Sequence, residues 1–185
     1  MEEFVSRIRM MFVLMLMASS LLVLGTRSVD AQSPTAIAIP TATAEGCDEV
    51  PVYLEARQQI MSEFLSDLEA VFPQVATPVM QHGDELFIAM MSMTPEQATA
   101  LALTYDTAAD KIEKIEAPAV AAFYNTLQVD LYRLSADVFE ETGASDLMAA
   151  SAKFEDQLIA MGEAVGLAGA AATGVCPAFG DVVHF

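Results

Sequence analysis

Apolar positions fall three and four residues apart along four long stretches of this chain, the period of a helix with one buried face. The first stripe is Ile60, Met61, Phe64, Leu65, Leu68, Val71 and Phe72. It predicts a helix over 51–72, with Pro51 suited to the first turn and Pro73 stopping it. The second has the clearest start. Thr94 stands at the cap, Pro95 at the first helical position, and Gln97 completes a capping box. Ala98, Leu101, Tyr105, Ala108, Ile112 and Ile115 follow at helical spacing, and the helix should end near Glu116. Pro118 should open the third, whose stripe is Val120, Phe123, Leu127, Leu131, Leu134 and Val138, with Gly143 as terminator. Ser145 should cap the fourth, with Asp146 in its first turn and Leu147, Ser151, Phe154, Leu158, Met161 and Val165 facing inward. Beyond Gly166 the sequence turns to Gly and Ala, and fraying is expected toward Cys176 and Pro177.

Two stretches break the pattern. Residues 32–46 are rich in Ser, Pro, Thr and Ala, have no helical period and read as a flexible or extended spacer. Residues 73–93 hold Pro73, Pro78 and Gly83 and then an apolar run from Leu86 to Met91. A structureless loop of that length is rare inside a compact domain. A short helix from Asp84 to Ser92 is therefore expected, with a strand as the alternative.

Very short connections around Ala117 and Gly143 favour antiparallel neighbours. The expected fold is all-α: an antiparallel up-down four-helix bundle with one extra short helix, its ends joined by a disulfide between Cys47 and Cys176. An even number of long helices returns both ends to one face, as a bond between residues so distant requires. In the chain-entropy model, closing so long a loop contributes about 5 kcal/mol.

Export makes such a bond chemically reasonable. Residues 1–31 read as a signal peptide: Arg7 and Arg9 precede an apolar run from Met10 to Leu24, and Val29 and Ala31 sit at the small-residue positions before a cleavage site. The run is shorter than the roughly 20 residues that span a bilayer, although Glu2 and Glu3 leave a retained anchor as the alternative. The domain plan is then 1–31 signal peptide, 32–46 spacer, 47–179 helical domain and 180–185 C-terminal tail. The expected location is secreted or extracytoplasmic, in a bacterial cell envelope. Disulfides persist in such compartments.

Charge narrows the partners. The chain has 26 acidic and 8 basic residues, a formal net charge of −18. Such a surface repels phosphates and anionic lipid, so no nucleic acid is expected, and a membrane only if the leader stays as an anchor. A protein or small ligand of basic character fits better. Candidate chemistry is sparse. His82 and His184 are the only histidines, so a base beside a nucleophilic serine or cysteine has few sources. Exposed carboxylates on a slim bundle lack the sugar-sized cleft of a glycosidase. The Glu-x-x-His pattern of di-iron bundles is absent. Tyr105, Tyr124 and Tyr132 read as core-edge residues with hydroxyls in water. One local set, Met80, His82, Met90, Met91 and Met93, has the thioether and imidazole groups that suit Cu(I). The commoner role of such methionines is to fill irregular core gaps.

The stretch "IEKIEAPAVAAFYNTLQVDLYRL", Ile112 to Leu134, resembles a pattern in exported bacterial helical proteins of uncharacterised function: a long helix, a proline break, then a helix with an aromatic or histidine in its early turns. Phe123 and Tyr124 take that place here. The resemblance implies an exported helical domain and brings no catalytic residues. The expected protein is thus not an enzyme and has no cofactor. It is a non-catalytic extracytoplasmic helical domain that binds a partner or ligand. The alternatives are an extracytoplasmic Cu(I)-binding protein and an envelope-anchored sensory or interaction module.

Overall fold

A computed structural model describes residues 37–182. The expected signal peptide, residues 32–36 of the expected spacer and residues 183–185, His184 included, lie outside the described residues. Among those described, the protein is all-helical, with no strand. Five α-helices follow in order: α1 (Val50–Val71), α2 (Gly83–Met91), α3 (Pro95–Glu113), α4 (Ala119–Ala144) and α5 (Leu147–Val175). Two 3-10 turns accompany them, Val79–His82 before α2 and Pro177–Val182 after α5. The short helix expected at 84–92 is α2, and the strand alternative is excluded.

The chain forms two compact units. Among the described residues, the first takes 37–54, Glu116–Leu127 and 156–182; the second takes Glu55–Ile115 and Gln128–Glu155. The core of the second unit is aromatic. Phe64 of α1 meets Tyr105 of α3 edge-on at 5.0 Å and Tyr132 of α4 at 5.5 Å. Tyr105 also lies 5.3 Å from Phe139. Each such pair adds about 0.5–1.5 kcal/mol beyond the area it buries. Arg57 is buried on the α1 stripe and donates to Gln128 Oε1 at 3.2 Å. Gln97 completes the predicted capping box with Thr94, and its amide nitrogen also reaches the Val71 carbonyl at 3.1 Å. One side chain thus starts α3 and satisfies a terminal carbonyl of α1, which has no partner inside its own helix. Glu69 accepts from the Val79 amide at 3.2 Å and holds the loop between α1 and α2.

The first unit closes around Phe179. This residue is fully buried, stacks on Tyr53 with ring centroids 6.4 Å apart, and meets Tyr124 edge-on at 5.2 Å. Tyr53 donates to Asn125 Oδ1 at 3.0 Å, a buried bond.

Several expectations require correction. α5 does not fray after Gly166 but continues to Val175, because alanine, the best helix former, offsets the interspersed glycines. Gly143 does not terminate α4. Gly46 alone among the described residues has positive φ, and the end of α4 is closed instead by the Ser145 amide and hydroxyl, both bonded to the Glu141 carbonyl at 3.1 and 3.0 Å. Ser145 therefore does not cap α5. The Asp146 carboxylate does, accepting from the Ala149 amide at 2.8 Å. Tyr105, Tyr124 and Tyr132 are core residues rather than core-edge residues, with at most 5% of their surface exposed. On α4, hydroxyls fit the interior because Ser135 and Thr142 each donate to the carbonyl four residues back, at 2.8 Å.

Candidate functional site

Residues 45 and 46, at the end of the stretch expected to be a flexible or extended spacer, are docked on the start of α4. The Glu45 carbonyl accepts from the Val120 amide at 3.0 Å. It thereby satisfies a first-turn donor of α4 that the helix leaves without an internal partner. Gly46 lies against Pro118 with φ of 80°. A side chain there would put its Cβ 2.9 Å from the Pro118 Cβ and 3.0 Å from the Ala119 nitrogen. Glycine is needed at this position for its φ and for the close approach.

The docking delivers Cys47 to Cys176. The two residues approach to 2.6 Å but are not joined by a disulfide; both are free thiols. The expected bond is therefore corrected to an unbonded pair, since a covalent S–S link requires about 2.05 Å. The expected meeting of the two cysteines does occur. Cys176 is held by its own helix end, with its amide bonded to the Ala172 carbonyl at 2.8 Å, and by Phe179 three residues on. Its thiol faces the Cys47 carbonyl at 3.8 Å, and the Cys47 thiol faces the Val175 carbonyl at 3.9 Å. Cys176 is buried and Cys47 half-buried. The Cys47 pKa is pushed up to about 11, first by its hydrogen bond with Cys176, then by burial and by the negative charge of Cys176 and Asp48.

The methionine and histidine set lies in the second unit and is divided. Met80 is on the turn before α2 and Met91 on the last turn of that helix, each 39% exposed. Met90 is buried in the core, and Met93 is half-buried just beyond the helix. Neighbouring positions on a helix do not face each other, so Met90 and Met91 point to different surroundings. His82 is half-buried, with Nδ1 3.4 Å from Glu85 Oε1. Among the described residues, no group of three His, Cys, Asp or Glu side chains could hold a metal ion.

The surface is acidic, and its cations are largely committed within the molecule. Lys111 pairs with Glu63 at 2.8 Å, Arg133 with Glu113 at 2.6 Å and Asp110 at 3.5 Å, and Lys153 with Glu141 at 2.8 Å. The Lys111 ammonium, with Gln59, holds the Glu63 carboxyl below the usual range. Exposed apolar side chains include Val52, Ile88, Leu103 and Leu167. By length and composition α5 could cross a membrane, with 33% of its most apolar stretch buried, a test that core helices of soluble proteins also pass.

Sequence reasoning missed Arg57, Gln128, Tyr53 and Asn125 as interior polar positions. A signal was present: Tyr53, Arg57, Phe64 and Leu68 share a helical spacing, and a polar residue on such a stripe is buried with a partner when its neighbours pack. No family model matches the chain, and no curated protein or solved structure is similar to it.

Proposed function

We propose that this protein is a non-catalytic, exported helical domain that binds a basic protein or ligand through its acidic surface. The observation that carries the reading is the charge arrangement. The net charge is −18, and Lys111, Arg133 and Lys153 are already engaged with carboxylates while Arg57 is buried. The exposed field is therefore almost entirely negative, and such a field draws in cationic partners. The leader-like sequence of residues 1–31 and the resemblance of Ile112–Leu134 support export. In an oxidising compartment the Cys47 and Cys176 thiols close to a disulfide, and the four long helices pack in the up-down arrangement favoured by their short connections.

Two measurements test the reading. Mass spectrometry of the protein from its native envelope should find an N-terminus at Gln32; an intact leader would replace free secretion with an anchored module. A panel of hydrolase substrates should show no turnover. Turnover abolished by one point substitution would overturn the non-catalytic assignment.

A second reading, Cu(I) binding, is favoured by the exposure of the Met80 and Met91 thioethers beside half-buried His82. Met90 then stays in the core. Cu(I) titration under reducing conditions decides it: a chain with Met80, Met91 and Met93 changed to leucine should bind far more weakly, and equal affinity removes the idea.

A further inference from the structure

We propose that Cys47 and Cys176 form a redox clasp that the fold assembles before any bond joins them. Oxidation then locks the base of the N-terminal arm onto the end of α5 and is not needed to build the domain. The inference deepens the exported reading, which supplies the oxidant.

Each cysteine is placed by contacts that involve no sulfur. Cys47 is positioned by the Glu45 carbonyl on the Val120 amide, by Gly46 against Pro118, and by the fully buried Val50 three residues later. Cys176 is positioned by the Ala172 carbonyl and by the Phe179 ring between Tyr53 and Tyr124. The two residues are 129 positions apart in sequence. In an unfolded chain they would meet only by closing that whole loop. In the folded chain the meeting has already occurred, and what the bond adds is retention of the arm.

The chemistry is thiol–disulfide exchange with a donor disulfide. Cys47, the more accessible of the two, attacks a donor sulfur as thiolate; the donor S–S bond breaks and one donor thiolate leaves. The Cys176 thiolate then attacks the Cys47 sulfur and expels the second donor thiolate. Two electrons pass from the pair to the donor, and the two cysteine protons end on the two donor thiols. Because the hydrogen bond with Cys176 disfavours the Cys47 thiolate, the first step quickens as pH rises toward 11. The second step is fast wherever the domain is folded.

The test uses the purified protein, reduced and then freed of reductant. Its helical circular dichroism should equal that of the oxidised form. With oxidised glutathione, thiols should disappear without accumulation of a glutathione adduct on Cys47. In concentrated guanidinium the adduct should accumulate, with ring closure slowed about tenfold or more. Gly46→Ala should slow closure in the folded protein several-fold while leaving the helical signal, and proteolysis near residue 46 should rise in the reduced form only. Loss of helix on reduction would make the bond a folding staple and overturn the proposal. So would a persistent adduct on the folded protein. Neither result depends on compartment or partner, so failure here is distinct from failure of the exported, partner-binding reading.

Discussion

Tyr105 is fully enclosed by Phe64, Tyr132 and Phe139, and that burial, with Tyr132 beside it, raises its phenol well above the ordinary value of 10. The sign of the consequence follows from linkage. A group whose folded pKa is raised stabilises the fold at all pH values below its unfolded pKa, and that contribution is lost as pH climbs above it. Ultraviolet titration should thus find Tyr105 silent past pH 10, ionising only as the fold opens. A full tyrosinate signal with the helical signal intact would contradict this burial. Phe179 gives the complementary test in the first unit. It is fully buried, and Phe179→Ala should cost about 3–5 kcal/mol in denaturant unfolding, the range for large aromatics in cores. A value under 1 kcal/mol would mean that the last turn does not plug the interior.

Elements start and stop where side chains satisfy terminal backbone groups, and the caps can be tested against each other. Asp146→Ala should cost about 1 kcal/mol because the carboxylate holds the Ala149 amide. Ser145→Ala should cost less, since that hydroxyl bonds backward to Glu141. The opposite order would restore Ser145 as the cap of α5. The same detail shows what could be read in advance. Thr94, Pro95 and Gln97 specify a start by chemistry confined to four residues, and that start was legible. At residues 143–146 two good cap candidates, Ser145 and Asp146, stand side by side, and only the turn geometry decides between them. Gly166 misled for a related reason: glycine permits a stop but does not impose one, and alanine-rich context carries α5 on to Val175, whereas α4 ends at Ala144, one residue past Gly143. A Cβ at Gly162 or Gly166 would meet nothing within 4 Å. Gly162→Ala and Gly166→Ala should therefore each raise stability by about 0.5–1 kcal/mol, read as a higher unfolding midpoint. The stripes located α1, α3 and α4 because periodicity reports burial directly. It could not report Arg57, whose burial depends on Gln128, 71 positions away, or the docking of Glu45 on Val120, which leaves no mark on composition.

Over the whole molecule, charge sets both behaviour and partner. A chain with a net charge of −18 and a pI near 4.1 repels itself at neutral pH. Its ion pairs are half-exposed surface pairs, and pairs of that kind contribute little each. Salt screens both, but the unpaired like charges far outnumber the pairs, so screening should help on balance. Raising sodium chloride from low to near-molar concentration at pH 7 should therefore raise Tm. A falling Tm would mean that the ion pairs of Lys111, Arg133 and Lys153 hold the fold together more strongly than the acidic surface pushes it apart. The same screening should weaken a basic partner, and the two effects separate the structural from the functional share of the charge. If the acidic surface is the binding surface, affinity for that partner falls steeply over the salt range in which the free protein grows more stable. If affinity is instead flat with salt, the partner is held by apolar contacts such as those open to Ile88 or Leu167, and the acidic surface serves solubility alone.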